Sequence, residues 1–220
     1  MSRGVLFDLD ETLIERKISL LKYAAKLHSD YKDQTKIDVD EFLTLIEELD
    51  GNGRAPRDLF FQGLKEQALD ISIAEIEQHF LETAWLNPLL CPGALDLLKA
   101  LKSADIPIGI VTNGRGVMQR SKIDNSGINP YIDAIRISAE FGIRKPEKQI
   151  FKSISEELEI DPKQSWFIGD DPVSDIVGAS RVGFKTVWLE RHLAWPADQP
   201  HCFDIRARGI KEINLDTFIE

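Results

Sequence analysis

Val5-Leu6-Phe7-Asp8-Leu9-Asp10-Glu11-Thr12-Leu13 is the stretch that decides how this chain is read. The apolar run Val5 to Phe7 predicts a short buried strand. It ends in two carboxylates, Asp8 and Asp10, with the hydroxyl of Thr12 just beyond. A buried strand is a rigid mount, and open α/β sheets bind ligands at the carboxyl ends of their strands. Alternation along an extended chain places Asp8 and Asp10 on one side. Two like charges held that close need a cation, a proton or a function to explain them.

Three later segments end in the same manner. Ile106 to Gly114 is a second apolar run closing in Thr112, Asn113 and Gly114, a hydroxyl followed by a turn whose backbone N–H groups suit an anion. Gly142-Ile143-Arg144-Lys145-Pro146 sets Lys145 directly before a proline that can open a helix. Trp166 to Asp175 is a third apolar run, ending in Gly169, Asp170, Asp171 and then Asp175. Separately these read as a turn hydroxyl, a surface lysine and an acidic helix start. In this order they form one constellation of acids, a hydroxyl and a lysine at strand ends.

Outward from these motifs the periodicities divide the chain. Residues 15–87 carry helical patterns only. Phe42, Leu45, Ile46 and Leu49 follow the spacing of an amphipathic helix, Gly51-Asn52-Gly53 breaks it, Pro56 opens another, and Ser72 with Glu75 makes a capping box. From residue 92 the pattern alternates. Helices are expected at Leu95–Leu101, Gly116–Asn125, Pro146–Leu158 and Val173–Val182, and strands at Ile106–Val111, Ala134–Ser138, Trp166–Ile168 and Lys185–Leu189. Such alternation implies a parallel sheet with both faces covered. Residues 191–202 read as a surface loop and 214–219 as a short closing helix.

The chain has 220 residues and 43% hydrophobic content, enough for one core domain with an insertion. A net charge of −10 argues against nonspecific binding to nucleic acid or anionic membranes. Cys91 and Cys202 form no metal or disulfide pattern, which fits a reducing compartment. No apolar run reaches membrane-spanning length and no leader precedes the first strand, so a cytoplasmic protein is expected. The four tryptophans are read as packing, and His28, His79, His192 and His201 as surface or hydrogen-bonded residues. Arg54 and Arg57 are read as a solvated connector.

The set Asp8-Leu9-Asp10-Glu11-Thr12, Thr112-Asn113-Gly114, Lys145-Pro146 and Gly169-Asp170 through Asp175 resembles the four motifs of the haloacid dehalogenase superfamily, whose members are mostly phosphatases. The resemblance implies a Rossmann-like parallel sheet with helices on both faces, built from residues 1–14 and 88–220, and an inserted all-helical cap over 15–87. A cap of that kind can close over the mouth of a site and shed water. It further implies Asp8 as nucleophile and Asp10 as general acid and base. Mg2+ would be held by Asp8, the Asp10 carbonyl, Asp170 and Asp175, with Asp171 capping the next helix. Thr112, Asn113, Gly114 and Lys145 would hold the phosphoryl group, with Thr12 and Arg115 as further substrate contacts. Glu11 departs from the Gly or Asp often found at its place. The implied substrate is a small phosphorylated metabolite, handled by a monomer or homodimer. Dehalogenation, phosphonate hydrolysis, phosphomutase chemistry and noncatalytic phosphate binding are the rivals. Dehalogenases lack the second acid, and a regulator would lose Asp8 or Asp10; this chain retains both.

Overall fold

Three consecutive β-competent side chains, each buried, begin the sheet at Val5–Phe7 (β1). The computed structural model describes residues 2–219. The chain divides into two compact units, one from residues 1–15 and 90–220 and the other Arg16–Leu89. The junctions fall a residue or two later than the sequence suggested, because Glu15 is tied to Arg191 at 2.6 Å and Leu90 bridges back to Ile14.

The unit Arg16–Leu89 holds four helices, α1 (Arg16–Asp30), α2 (Val39–Asp50), α3 (Arg57–Gln67) and α4 (Ile73–Thr83). Asp38 caps α2, and Ser72 with Glu75 forms a complete capping box on α4. Gly51 and Asn52 adopt positive φ and end α2. Arg57 is not a solvated connector. It reaches the buried Asp50 at 3.0 Å alongside Arg16 at 2.7 Å, and its guanidinium lies over the Phe60 and Phe80 rings. The cause is Asp50 itself, a buried carboxylate that must be paired.

In the other unit follow α5 (Ala94–Ser103), β2 (Ile108–Thr112), α6 (Gly116–Asn125), β3 (Ala134–Ile137), α7 (Ser138–Phe141), α8 (Lys148–Glu157), β4 (Trp166–Gly169), β5 (Lys185–Leu189) and β6 (Ile205–Ala207). The six strands are parallel, in the order β3-β2-β1-β4-β5-β6. Strands β2 and β3 extend the sheet on one side of β1, and β4, β5 and β6 on the other, so the order of addition switches beside β1, the point at which open sheets bind ligands. Val5 and Phe7 pack on one face with Leu97, Leu98 and Leu101 of α5 and Ile123 of α6. Leu6 packs on the other with Ile150, Phe151 and Ile154 of α8. Covered faces explain why these strands read as continuous apolar runs.

Two local readings are corrected. Helix α8 starts at Lys148, and Pro146 lies in the preceding turn after a cis peptide bond. The segment expected as a helix from Val173 is a wide π turn over Pro172–Val177 with one short helical turn after it. No helix among the described residues is long and apolar enough to cross a membrane.

Candidate active site

Parallel strands deliver their carboxyl ends to one edge. Phe7 pairs in register with Ile110 of β2 and Ile168 of β4, so the residues that follow meet at that edge. Asp8, Asp170 and Asp175 converge there, each buried, with one carboxylate oxygen of each within 4.8 Å of the others. Lys145 enters from the turn before α8. Its Nζ lies 2.5 Å from Asp8 Oδ1 and 2.6 Å from Asp175 Oδ1. With all three carboxylates ionised against one ammonium, the buried site would carry two uncompensated negative charges. The titration behaviour follows. Burial pushes Asp8 up to about 7 against the opposing pull of Lys145. Burial, then the charges of Asp175 and Asp8, push Asp170 up to about 9. Burial would lower Lys145, but Asp175 and Asp8 outweigh it and hold the ammonium above its ordinary range.

Each member is placed by local chemistry. Gly169 has no side chain because Asp175 occupies the space: a Cβ there would lie 2.5 Å from Asp175 Oδ2. Asp171 spends its Oδ1 on the N–H groups of Val173 and Ser174, at 3.0 and 2.9 Å, and its own N–H donates to Asp175 Oδ2 at 3.0 Å. It caps the turn and stands outside the acidic cluster. The Trp188 indole N–H donates to the Asp170 carbonyl at 3.1 Å. Asn113 clamps the Lys145 backbone in both directions, Nδ2 donating to its carbonyl at 3.1 Å and Oδ1 accepting from its N–H at 2.9 Å.

Asp10 lies apart from the cluster with its own cation. Lys122 Nζ sits 2.7 Å from each Asp10 oxygen, and Gln119 Nε2 donates to Asp10 Oδ2 at 3.1 Å and to Thr112 Oγ1 at 2.7 Å. Lys122 and Gln119 escaped the sequence reading. Their signal was a spacing of three on α6, which puts them on one helix face beside the buried Met118 and Ile123. The Thr12 hydroxyl is buried and makes no hydrogen bond among the described residues. Gly114 contributes space more than a donor, since its N–H goes to Ser138 Oγ at 3.0 Å. Arg115 is exposed at the start of α6. Glu11 sits at φ 59°, a backbone region that favours glycine, and is anchored by His192 at 2.9 Å and by Arg191.

The donor set suits a hard divalent cation. All three convergent side chains offer oxygen, and the two positive charges the site would lack once its carboxylates ionise match one Mg2+-like ion. Fold and site together define a parallel α/β enzyme core with a buried carboxylate–lysine centre at the switch point. The chain belongs to the haloacid dehalogenase-like hydrolase family, whose model matches residues 3–183. It is 29% identical over 197 residues to a glyceraldehyde 3-phosphate phosphatase of Pyrococcus abyssi, covering 86% of this chain and 82% of that one. It is 35% identical over 123 residues to the pyrimidine 5'-nucleotidase YjjG of Escherichia coli, covering 53% and 54%. The magnesium-bound structure of the HAD-hydrolase YfnB from Bacillus subtilis shares the fold with a TM-score of 0.73 and 24% identity, over 99% of this chain and 98% of that one.

Proposed function

We propose that this hydrolase is a Mg2+-dependent phosphatase that cleaves a small soluble phosphomonoester through an aspartyl-phosphate. The observation that carries the reading is the division of labour between two lysine-bound carboxylates. Asp8 stands in the acidic cluster with Lys145, and Asp10 stands beside it on Lys122. A carboxylate is a weak nucleophile, but it attacks a phosphorus whose charge is neutralised. An Asp8 oxygen would form the bond to phosphorus as the ester oxygen departs with the Asp10 proton. Asp10 would then take a proton from water, whose oxygen attacks phosphorus and breaks the Asp8–phosphorus bond, releasing inorganic phosphate. Thr112 accepts from Gln119, which leaves its own proton to donate to a phosphoryl oxygen. Lys145 balances charge. Asp8, Asp170, Asp175 and the Asp10 carbonyl would hold Mg2+, which when bound neutralises phosphoryl charge.

The two relatives act on a sugar phosphate and on pyrimidine nucleotides by their names, which supports a phosphorylated metabolite as substrate. Purified protein should hydrolyse members of a phosphometabolite panel with Mg2+, and EDTA dialysis should abolish this. Activity that survives dialysis unchanged refutes the metal requirement. Chloride release from a 2-chloro acid with no phosphate release would favour the dehalogenase alternative. Asp8→Asn should abolish turnover, and acid-quenched wild type should carry substrate-derived phosphate on Asp8. A wild type that never does so has another mechanism.

A further inference from the structure

We infer that Lys122 and Gln119 are positioning residues that hold the Asp10 carboxylate in a fixed relation to Thr112 for both proton transfers. The inference rests on the functional reading above. The contacts form a closed ring. Lys122 Nζ reaches both Asp10 oxygens at 2.7 Å, Gln119 Nε2 reaches Asp10 Oδ2 at 3.1 Å, and Gln119 Oε1 accepts from Lys122 Nζ at 2.8 Å. The same Gln119 amide donates to Thr112 Oγ1 at 2.7 Å, which joins the proton-transfer carboxylate to the β2 hydroxyl.

The donors lie behind the acid. Lys122 and Gln119 are 3% and 2% exposed, whereas the Asp10 side chain is 23% exposed. An ammonium buried that deeply is costly unless paired, and apolar residues at these positions would serve α6 more cheaply. The local backbone also accommodates the pair. Gly114 has a φ of +153°, and a Cβ there would lie 2.9 Å from the Gln119 side chain. Glycine after Asn113 therefore keeps open the space Gln119 needs. An acid that must deliver a proton and later take one has to return to the same place. Lys122 on both oxygens together with Gln119 on Oδ2 restricts its rotation more than one lysine contact could.

The test is a double-mutant cycle between Asp10→Asn and Lys122→Met, with phenyl phosphate and 2,4-dinitrophenyl phosphate as substrates. A poor leaving group needs the acid and a good one does not. Lys122→Met should lower kcat on phenyl phosphate by about tenfold or more, part of the ~10²–10⁴-fold typical of general acid–base work. The loss in kcat/KM, which ends at phosphorylation of Asp8, should be smaller on the dinitrophenyl ester, while kcat should fall on both esters because water attack on the aspartyl-phosphate is common to them. In the Asp10→Asn background Lys122→Met should add no further loss. Lys122→Arg should recover part of the rate. Gln119→Leu, which keeps the Lys122–Asp10 pair, should show the same leaving-group pattern if Lys122→Met does not fold. Equal losses in kcat/KM on both esters, multiplying with that of Asp10→Asn, overturn the positioning role alone. Turnover that survives in Asp8→Asn overturns the functional reading and this inference with it.

Discussion

Asp170 and Asp171 are adjacent carboxylates with different work, and the difference arises from where each oxygen points. Asp170 joins the buried triad, while Asp171 is spent on two backbone N–H groups. Asp170→Ala should raise the Mg2+ concentration needed for half-maximal activity far more than Asp171→Ala does. Titration of both variants decides it, and the reverse order refutes the assignment. At this scale the sequence was informative wherever a residue follows a strand directly. Asp8, Thr112 and Asp170 are fixed by strand ends that apolar runs reveal. Lys122 was hidden because a lysine on a helix usually reads as solvated, and only the fold brings α6 against Asp10.

Elements were legible in proportion to the locality of their causes. The capping box of α4 depends on four consecutive residues and appears as written, with Glu75 Oε2 accepting from the Ser72 N–H at 2.9 Å. Ser72→Ala should lower the stability of the helical unit by about 1 kcal/mol, within the usual range for a lost N-cap. Chemical denaturation of wild type and Ser72→Ala checks this, and an unchanged midpoint would show that the cap contributes nothing. Helix α6 matched its expected span because Gly127 and the motif glycines bracket it. The π turn at Pro172–Val177 did not follow its apolar spacing. Asp171 bonds and the inward return of Asp175 widen the backbone there, and wide turns of this kind recur at functional sites. Strand β6 went unread because three residues, Ile205–Ala207, are too few to show a period.

For the whole molecule, the two negative charges that the fully ionised site would carry predict that a bound cation is a source of stability. An ion that binds only the folded state stabilises by RT ln(1 + [L]/Kd), about 2.7 kcal/mol at a hundred times Kd. That corresponds to a rise of roughly 5–10 °C in the melting of a domain this size. Calorimetry in Mg2+ and in EDTA should show the shift in wild type and a much smaller one in Asp170→Ala. Equal shifts would place the ion elsewhere. The sheet unit has one further property. Ile14 pairs antiparallel with Leu90, and the Cys91 N–H donates to the Leu13 carbonyl at 2.8 Å. The chain thus leaves and rejoins the sheet unit at neighbouring points, so to that unit Arg16–Leu89 is simply a closed loop. Loop closure grows costlier only slowly, by about 0.6 kcal/mol for each doubling in length. The sheet is therefore nearly indifferent to what is spliced between Glu15 and Leu90, and lineages could exchange that segment for longer or shorter ones while the strand-end chemistry stayed as it is.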